Sequence, residues 1–165
     1  MGEGAWLIAF IAVERIAELT LAQRNTTRLL AEGGVEFGRG HYFPIVGLHA
    51  TWLAGLWFLG REHDIDRTLL AVFLALQALR LWTIASLGRR WTTRVIIVPN
   101  APLVSGGPYR LMRHPNYAIV ALEIAIVPLA LGLPTMAIVF SVINGALLFW
   151  RIRVEDAALA SASAP

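Results

Sequence analysis

Long apolar runs alternate along this chain with short polar segments punctuated by glycine and proline. A helix that crosses a bilayer needs roughly 20 predominantly apolar residues, within a range of about 17–25. Five stretches meet that length: residues 4–22, 42–60, 67–87, 116–133 and 134–151. Gly132-Leu133-Pro134 separates the last two and reads as a tight helical-hairpin turn. Arg61-Glu62-His63-Asp64-Ile65-Asp66-Arg67 separates the second and third as a short charged turn. The pattern predicts an all-α integral membrane bundle of about five transmembrane helices, formed as a single domain over residues 1–165. The first run is expected to be a retained span. Glu14, Arg15 and Glu18 interrupt it, no basic segment precedes it, and no small-residue cleavage site follows.

Composition supports the membrane reading. Hydrophobic residues make up 57% of the chain and charged residues 15%, with a mean hydropathy of +0.63. Soluble domains run near 45–50% apolar and ~25% charged, so both values shift toward the bilayer. There is no cysteine, which removes disulfides, thiolate nucleophiles and cysteine metal sites. All 14 basic residues are arginine. With five crossings, Arg24, Arg28, Arg39, Arg89, Arg90, Arg94, Arg110, Arg113, Arg151 and Arg153 share one face, and only Arg61 and Arg67 stand on the other. That asymmetry predicts a cytoplasmic C-terminus, an outside N-terminus, and cytoplasmic loops at 23–41 and 88–115. A multi-pass protein of a bacterial inner or plasma membrane is expected. The arginines follow topology, so no nucleic-acid partner is expected.

The same orientation brings two polar segments to one face. The first is residues 102–117, which hold Arg110, Arg113, His114, Asn116 and two tyrosines. The second is Arg151-Ile152-Arg153-Val154-Glu155-Asp156, after the last span. Pro115 disfavours helical geometry at His114 and suits the first turn of a helix, so His114 should sit at a helix N-terminus. Unpaired backbone N–H groups and the positive dipole end there suit a carboxylate or a ribose. The same pentapeptide, Arg113-His114-Pro115-Asn116-Tyr117, also reads as an interfacial cap with Tyr117 in the aromatic belt.

Arg151 and Glu155, four apart, share one helix face and read equally as a surface ion pair. Glu14, Arg15, Glu18, Arg80 and Glu123 fall inside spans, where each costs about 2.5–3.5 kcal/mol on insertion scales. They should face the bundle interior and pair, with Arg15 or Arg80 against Glu14 and Glu18, as a pocket wall or as packing ion pairs. His41, His49, His63 and His114 lack metal-ligand spacing, so no metal is expected. There is no GxGxxG after a strand, no P-loop and no serine nucleophile elbow, which excludes a soluble Rossmann-type methyltransferase or dehydrogenase.

These residues together resemble the isoprenylcysteine carboxyl methyltransferase family of integral membrane enzymes. The carrying motif is Gly107-Pro108-Tyr109-Arg110, then Arg113-His114-Pro115-Asn116-Tyr117, then an Arg-x-x-x-Glu pair after the last span. Ala-Leu-Arg-x-Trp at 78–82, Ser-Leu-Gly-x-x-Trp at 86–91 and Glu-Phe-Gly-x-x-His-Tyr at 36–42 resemble its short bacterial branch, some members of which methylate alkylpyrones. The resemblance covers nearly the whole chain. It implies an S-adenosylmethionine site made by Ala101, Pro102, Leu103, Val104, Tyr109, His114, Pro115, Asn116, Tyr117 and Glu155, with Arg151 facing the acceptor's acidic group. The cofactor pocket would then be formed by the last loop, the last helices and the C-terminal segment on the cytoplasmic side. Ile119 stands where the family often has glycine, Glu155-Asp156 replaces a Glu-Glu pair, and the tail beyond Leu159 is short. The implied reaction is methyl transfer to an acidic oxygen of a lipophilic acceptor, either a prenylcysteine-like carboxylate or an alkylpyrone-type hydroxyl. Two other readings are an NADPH-dependent membrane reductase of the sterol-reductase type and a non-catalytic membrane scaffold. A reductase would need additional basic contacts for a 2′-phosphate and its family's His-Cys pairing, which a chain without cysteine cannot supply.

Overall fold

A computed structural model describes residues 2–99, 101–102 and 104–162. Five helices stand on the five apolar runs: α1 (Glu3–Ala31), α2 (Arg39–Gly60), α3 (Arg67–Leu87), α4 (Pro115–Ala130) and α5 (Pro134–Ala162). The protein is an all-α membrane bundle in its main architecture. α2, α3 and α5 are long and apolar enough to cross a bilayer, and α4 is a shorter apolar helix. α1 has the length, but Glu14, Arg15 and Glu18 lower its apolar character.

Helix ends follow local chemistry. Asp66 caps α3 by accepting from the backbone N–H groups of Thr68 and Leu69 at 2.8 and 3.0 Å. α4 stops at the turn before Pro134, where Gly132 takes a left-handed φ of 68°. α1 and α5 each run past the expected ends of their spans, carrying helix out to the polar end of the bundle.

The packed centre joins Leu7, Ile8 and Ile11 of α1, Trp52 and Leu56 of α2, Phe73 of α3, Ile124 and Val127 of α4, and Met136 of α5. Phe43, Phe58, Leu81, Ile138, Val142 and Phe149 point outward and are exposed. Apolar side chains on the outside of apolar helices suit lipid as solvent, where close packing and polar pairing hold helices together.

Polar pairing is concentrated at mid-bundle. Glu123 of α4 accepts from Gln77 at 2.7 Å and from Arg80 of α3 through both Nε and Nη2. Arg80, 2% exposed, also holds both carboxylate oxygens of Glu18. Arg15 completes the cluster against Glu14, Glu18 and Glu123. Of the expected partners, Arg15 takes both Glu14 and Glu18, Arg80 takes Glu18, and Glu123 stands between the two arginines.

One element has no counterpart in the apolar pattern. β1 (Val35–Phe37) pairs antiparallel with β2 (Val95–Ile97), with Val35 opposite Ile97 and Phe37 opposite Val95. This ribbon ties the α1–α2 connection to the long segment before α4, at the end of the bundle where the cavity lies.

Candidate functional site

The segment between α3 and α4 is held at both ends. Asn25 of α1 donates its side-chain amide to the carbonyl of Trp91 at 2.8 Å, and Trp91 is buried. Downstream, residues Gly107–Arg110 form a 3₁₀ turn against the end of α3. Gly107 has a φ of 58°, and a Cβ there would lie 2.1 Å from the Ser86 hydroxyl oxygen. Both conformation and space therefore demand glycine at the head of the Gly-Pro-Tyr-Arg motif. His114 then occupies the N-cap of α4, and Pro115 is its first helical residue, buried as a helix starter.

The folded segment encloses a cavity of about 400 Å³. Its walls are β2 with Ala101, Pro102 and Val104, then Tyr109, His114, Asn116 and Tyr117, then Arg151, Glu155 and Leu159 of α5. Leu29 of α1, together with Leu87 and Trp91, adds an apolar side. Of the residues expected from the sequence, Ala101, Pro102, Val104, Tyr109, His114, Asn116, Tyr117, Arg151 and Glu155 line this one space. Pro115 does not line it; its part is to start α4. Leu103 lies outside the described residues.

Arg151 and Glu155 do not form the direct pair that their spacing allows, because the Tyr117 hydroxyl stands between them. It donates to Glu155 Oε2 and accepts from Arg151 Nε at 2.8 Å. The Arg151 guanidinium lies 5.1 Å from the centroid of the Tyr117 ring, and the His114 ring stacks on Tyr117 at 5.2 Å with 15° between planes. His114 reaches toward Asp156 Oδ1 with Nε2 at 3.4 Å and toward Glu155 with Nδ1 at 3.9 Å. Arg113 approaches the same Asp156 oxygen at 3.4 Å.

Polar groups gather at the cavity. Asn116 Oδ1 is buried without a hydrogen-bond partner among the described residues, while His114 Nε2 and Asp156 Oδ1 face each other. The start of α4 also turns the positive end of its dipole to this end of the bundle. Tyr109 adds a fixed donor: burial first, and the nearby Glu155 carboxylate second, push its phenol up to about 12. It keeps its proton near neutral pH and can donate a hydrogen bond but cannot act as a base.

The structure adds wall residues outside the sequence motifs: Leu29, Thr92, Arg94 and residues 95–98. The signal for them was their place beside the Trp91 motif, in a loop rich in arginine.

The model of the isoprenylcysteine carboxyl methyltransferase family matches residues 69–161, more than half of the chain and all of the cavity except its α1 wall. The uncharacterized protein YpbQ of Bacillus subtilis (strain 168) is 38% identical over 166 residues, spanning 93% of this chain and 94% of that protein. No solved structure matches the chain. The chain belongs to the isoprenylcysteine carboxyl methyltransferase family, and so to the membrane methyltransferases.

Proposed function

We propose that the protein transfers the methyl group of S-adenosylmethionine to an acidic oxygen of a lipophilic acceptor, at the cavity bounded by α4, α5 and the ribbon. The observation that carries this is one cavity lined together by Tyr109, His114, Asn116, Arg151 and Glu155, in a chain of this family. S-adenosylmethionine offers a carboxylate, an amino group, a ribose and an adenine edge. When bound, it supplies a methyl group on a sulfonium. Glu155 is the carboxylate in the cavity wall and suits the cationic end. Tyr109, His114 and the N-terminus of α4 offer donors for the carboxylate or the ribose. The backbone of Ala101, Pro102 and Val104 can take the adenine edge.

The remaining tasks are alignment and exclusion of water. An acceptor carboxylate or enolate is already ionised near neutral pH, so no general base is needed. That oxygen would take the methyl group as the S–C bond breaks, the bonding pair staying on sulfur. Arg151, held by Tyr117, is aimed to orient the anion. Leu29, Leu87 and Trp91 give an apolar body somewhere dry to rest. We place the cavity on the cytoplasmic side of the membrane, following the arginine asymmetry.

The test is methyl transfer from labelled S-adenosylmethionine into an organic-extractable product by purified protein. Arg151→Ala is expected to abolish most turnover while leaving cofactor binding in place. Label transfer that Arg151→Ala leaves at the wild-type rate would remove Arg151 from the site.

A further inference from the structure

One wall of the cavity carries a device that the cofactor reading does not use. Arg94 immediately precedes β2 and lines the cavity. Its Nη1 donates to Glu36 Oε1 at 2.9 Å, and its guanidinium lies 4.5 Å from the centroid of the Tyr42 ring. Glu36 uses its other oxygen on Arg39 at 3.2 Å. Three separate elements meet here: Glu36 from β1, Tyr42 from the first turn of α2, and Arg94 from the approach to β2. The antiparallel register that sets Phe37 opposite Val95 brings them together. The Glu-Phe-Gly-x-x-His-Tyr stretch thus acquires a task, since its Glu36 and Tyr42 both bear on Arg94.

The arrangement fixes Arg94 more tightly than a surface ion pair would. Stacking sets the plane of the guanidinium and the carboxylate sets its rotation within that plane. The Glu36 side chain is only 4% exposed, so its charge is committed to its two arginines. One negative charge shared between Arg39 and Arg94 leaves the station positive. The guanidinium carries five N–H donors, and the bond to Glu36 occupies one of them. Arg94 is still about a third exposed, at 36%. The planar fork of a held guanidinium matches a carboxylate or a delocalised enolate, by paired, charge-assisted hydrogen bonds. Beside it lie the apolar walls of Leu29, Leu87 and Trp91.

We propose that Arg94 binds the anionic head of the methyl acceptor, with Glu36 and Tyr42 as the positioning residues that hold its guanidinium to the cavity. The proposal deepens the methyltransferase reading and rests on it. It makes Arg94 a selector for anionic over neutral amphiphiles, while Arg151 orients the same head from the α5 side.

The experiment measures binding to detergent-purified full-length protein loaded with S-adenosylhomocysteine. The probes are N-acetyl-S-farnesylcysteine as the free carboxylate and as its neutral methyl ester. Wild type is expected to prefer the carboxylate. Arg94→Gln should weaken carboxylate binding roughly 10- to 100-fold, the loss of a charge-assisted hydrogen bond, and leave the ester and S-adenosylhomocysteine affinities unchanged. Glu36→Gln and Tyr42→Leu keep the guanidinium but free it, and should weaken the carboxylate by a smaller factor. They serve if Arg94→Gln does not fold, and Arg94→Lys should restore part of the preference. A wild type that does not distinguish the probes, or variants that keep its preference, would overturn the assignment of Arg94. Failure to bind S-adenosylhomocysteine, with the carboxylate preference intact in wild type and lost in Arg94→Gln, would sink the methyltransferase reading and leave an anion-binding cavity.

Discussion

Two polar clusters lie in this bundle, and they are built on opposite terms. At mid-bundle, Arg15 and Arg80 are matched against Glu14, Glu18 and Glu123, with Gln77 adding a donor to Glu123. At the ribbon end, Arg151 is bonded to a neutral phenol and Arg90 to the carbonyl of Pro102, and His114, Asn116 and Glu155 stand around the same cavity. The first cluster sets three carboxylates against two guanidiniums inside the bundle and encloses little space. The second sets its polar side chains around a cavity of about 400 Å³. In a membrane protein, charge alone does not mark a site; charge set around open space does.

The comparison breaks most visibly at Arg80. Arg80→Met leaves Glu123 and Glu18 short of a guanidinium in a dry setting, and should cost about 3–5 kcal/mol of stability. Thermal unfolding in detergent measures it. The double change Arg80→Met with Glu123→Leu should recover part of that loss, because it removes the stranded charge.

Glu155→Ala is the counterpart at the other cluster. It should cut S-adenosylhomocysteine affinity by about 1.5–3 kcal/mol, measured by calorimetry, with a stability change of about 1 kcal/mol or less. If it instead unfolds the protein as Arg80→Met does, the two clusters are of one kind and the contrast fails.

Tyr117→Phe sharpens the contrast further. It removes the hydroxyl that joins Arg151 to Glu155. Stability should fall by about 1 kcal/mol, and acceptor turnover by about tenfold as Arg151 loses its seat. Steady-state kinetics should show turnover falling more than cofactor affinity.

The smallest effect concerns Tyr109. Its folded pKa is raised to about 12 from an ordinary 10.0, so the folded protein favours the protonated phenol. That contribution to stability is complete below about pH 10 and is lost as pH climbs toward about 12. Ultraviolet titration of wild type against Tyr109→Phe should place one phenol in that alkaline window. Activity near neutral pH should carry no Tyr109 titration step.

The bundle was legible in the sequence because apolar runs of span length need no partner to identify them. The cavity was legible where its residues are close in the chain, as from Tyr109 to Tyr117, or share a helix face, as Arg151 and Glu155 do. Pairings between distant segments were not. β1 and β2 are three residues each and show no alternation long enough to announce a strand. Arg94 looked like one more topology arginine until register set it on Glu36 and Tyr42. Glu14 and Glu18 could be placed on one face with Arg15 or Arg80 opposite, but nothing in their spacing named Glu123 as the centre. The spacing of Arg151 and Glu155 suggested an ion pair, and only the packing of α4 on α5 inserts Tyr117 between them.

The central claim is tested most directly by calorimetric titration of S-adenosylhomocysteine into detergent-purified protein, with Glu155→Ala and NADPH run beside it. Wild type should bind at micromolar concentration, Glu155→Ala should bind far more weakly, and NADPH should give no heat. A folded wild type that ignores S-adenosylhomocysteine, or that binds NADPH instead, would contradict it.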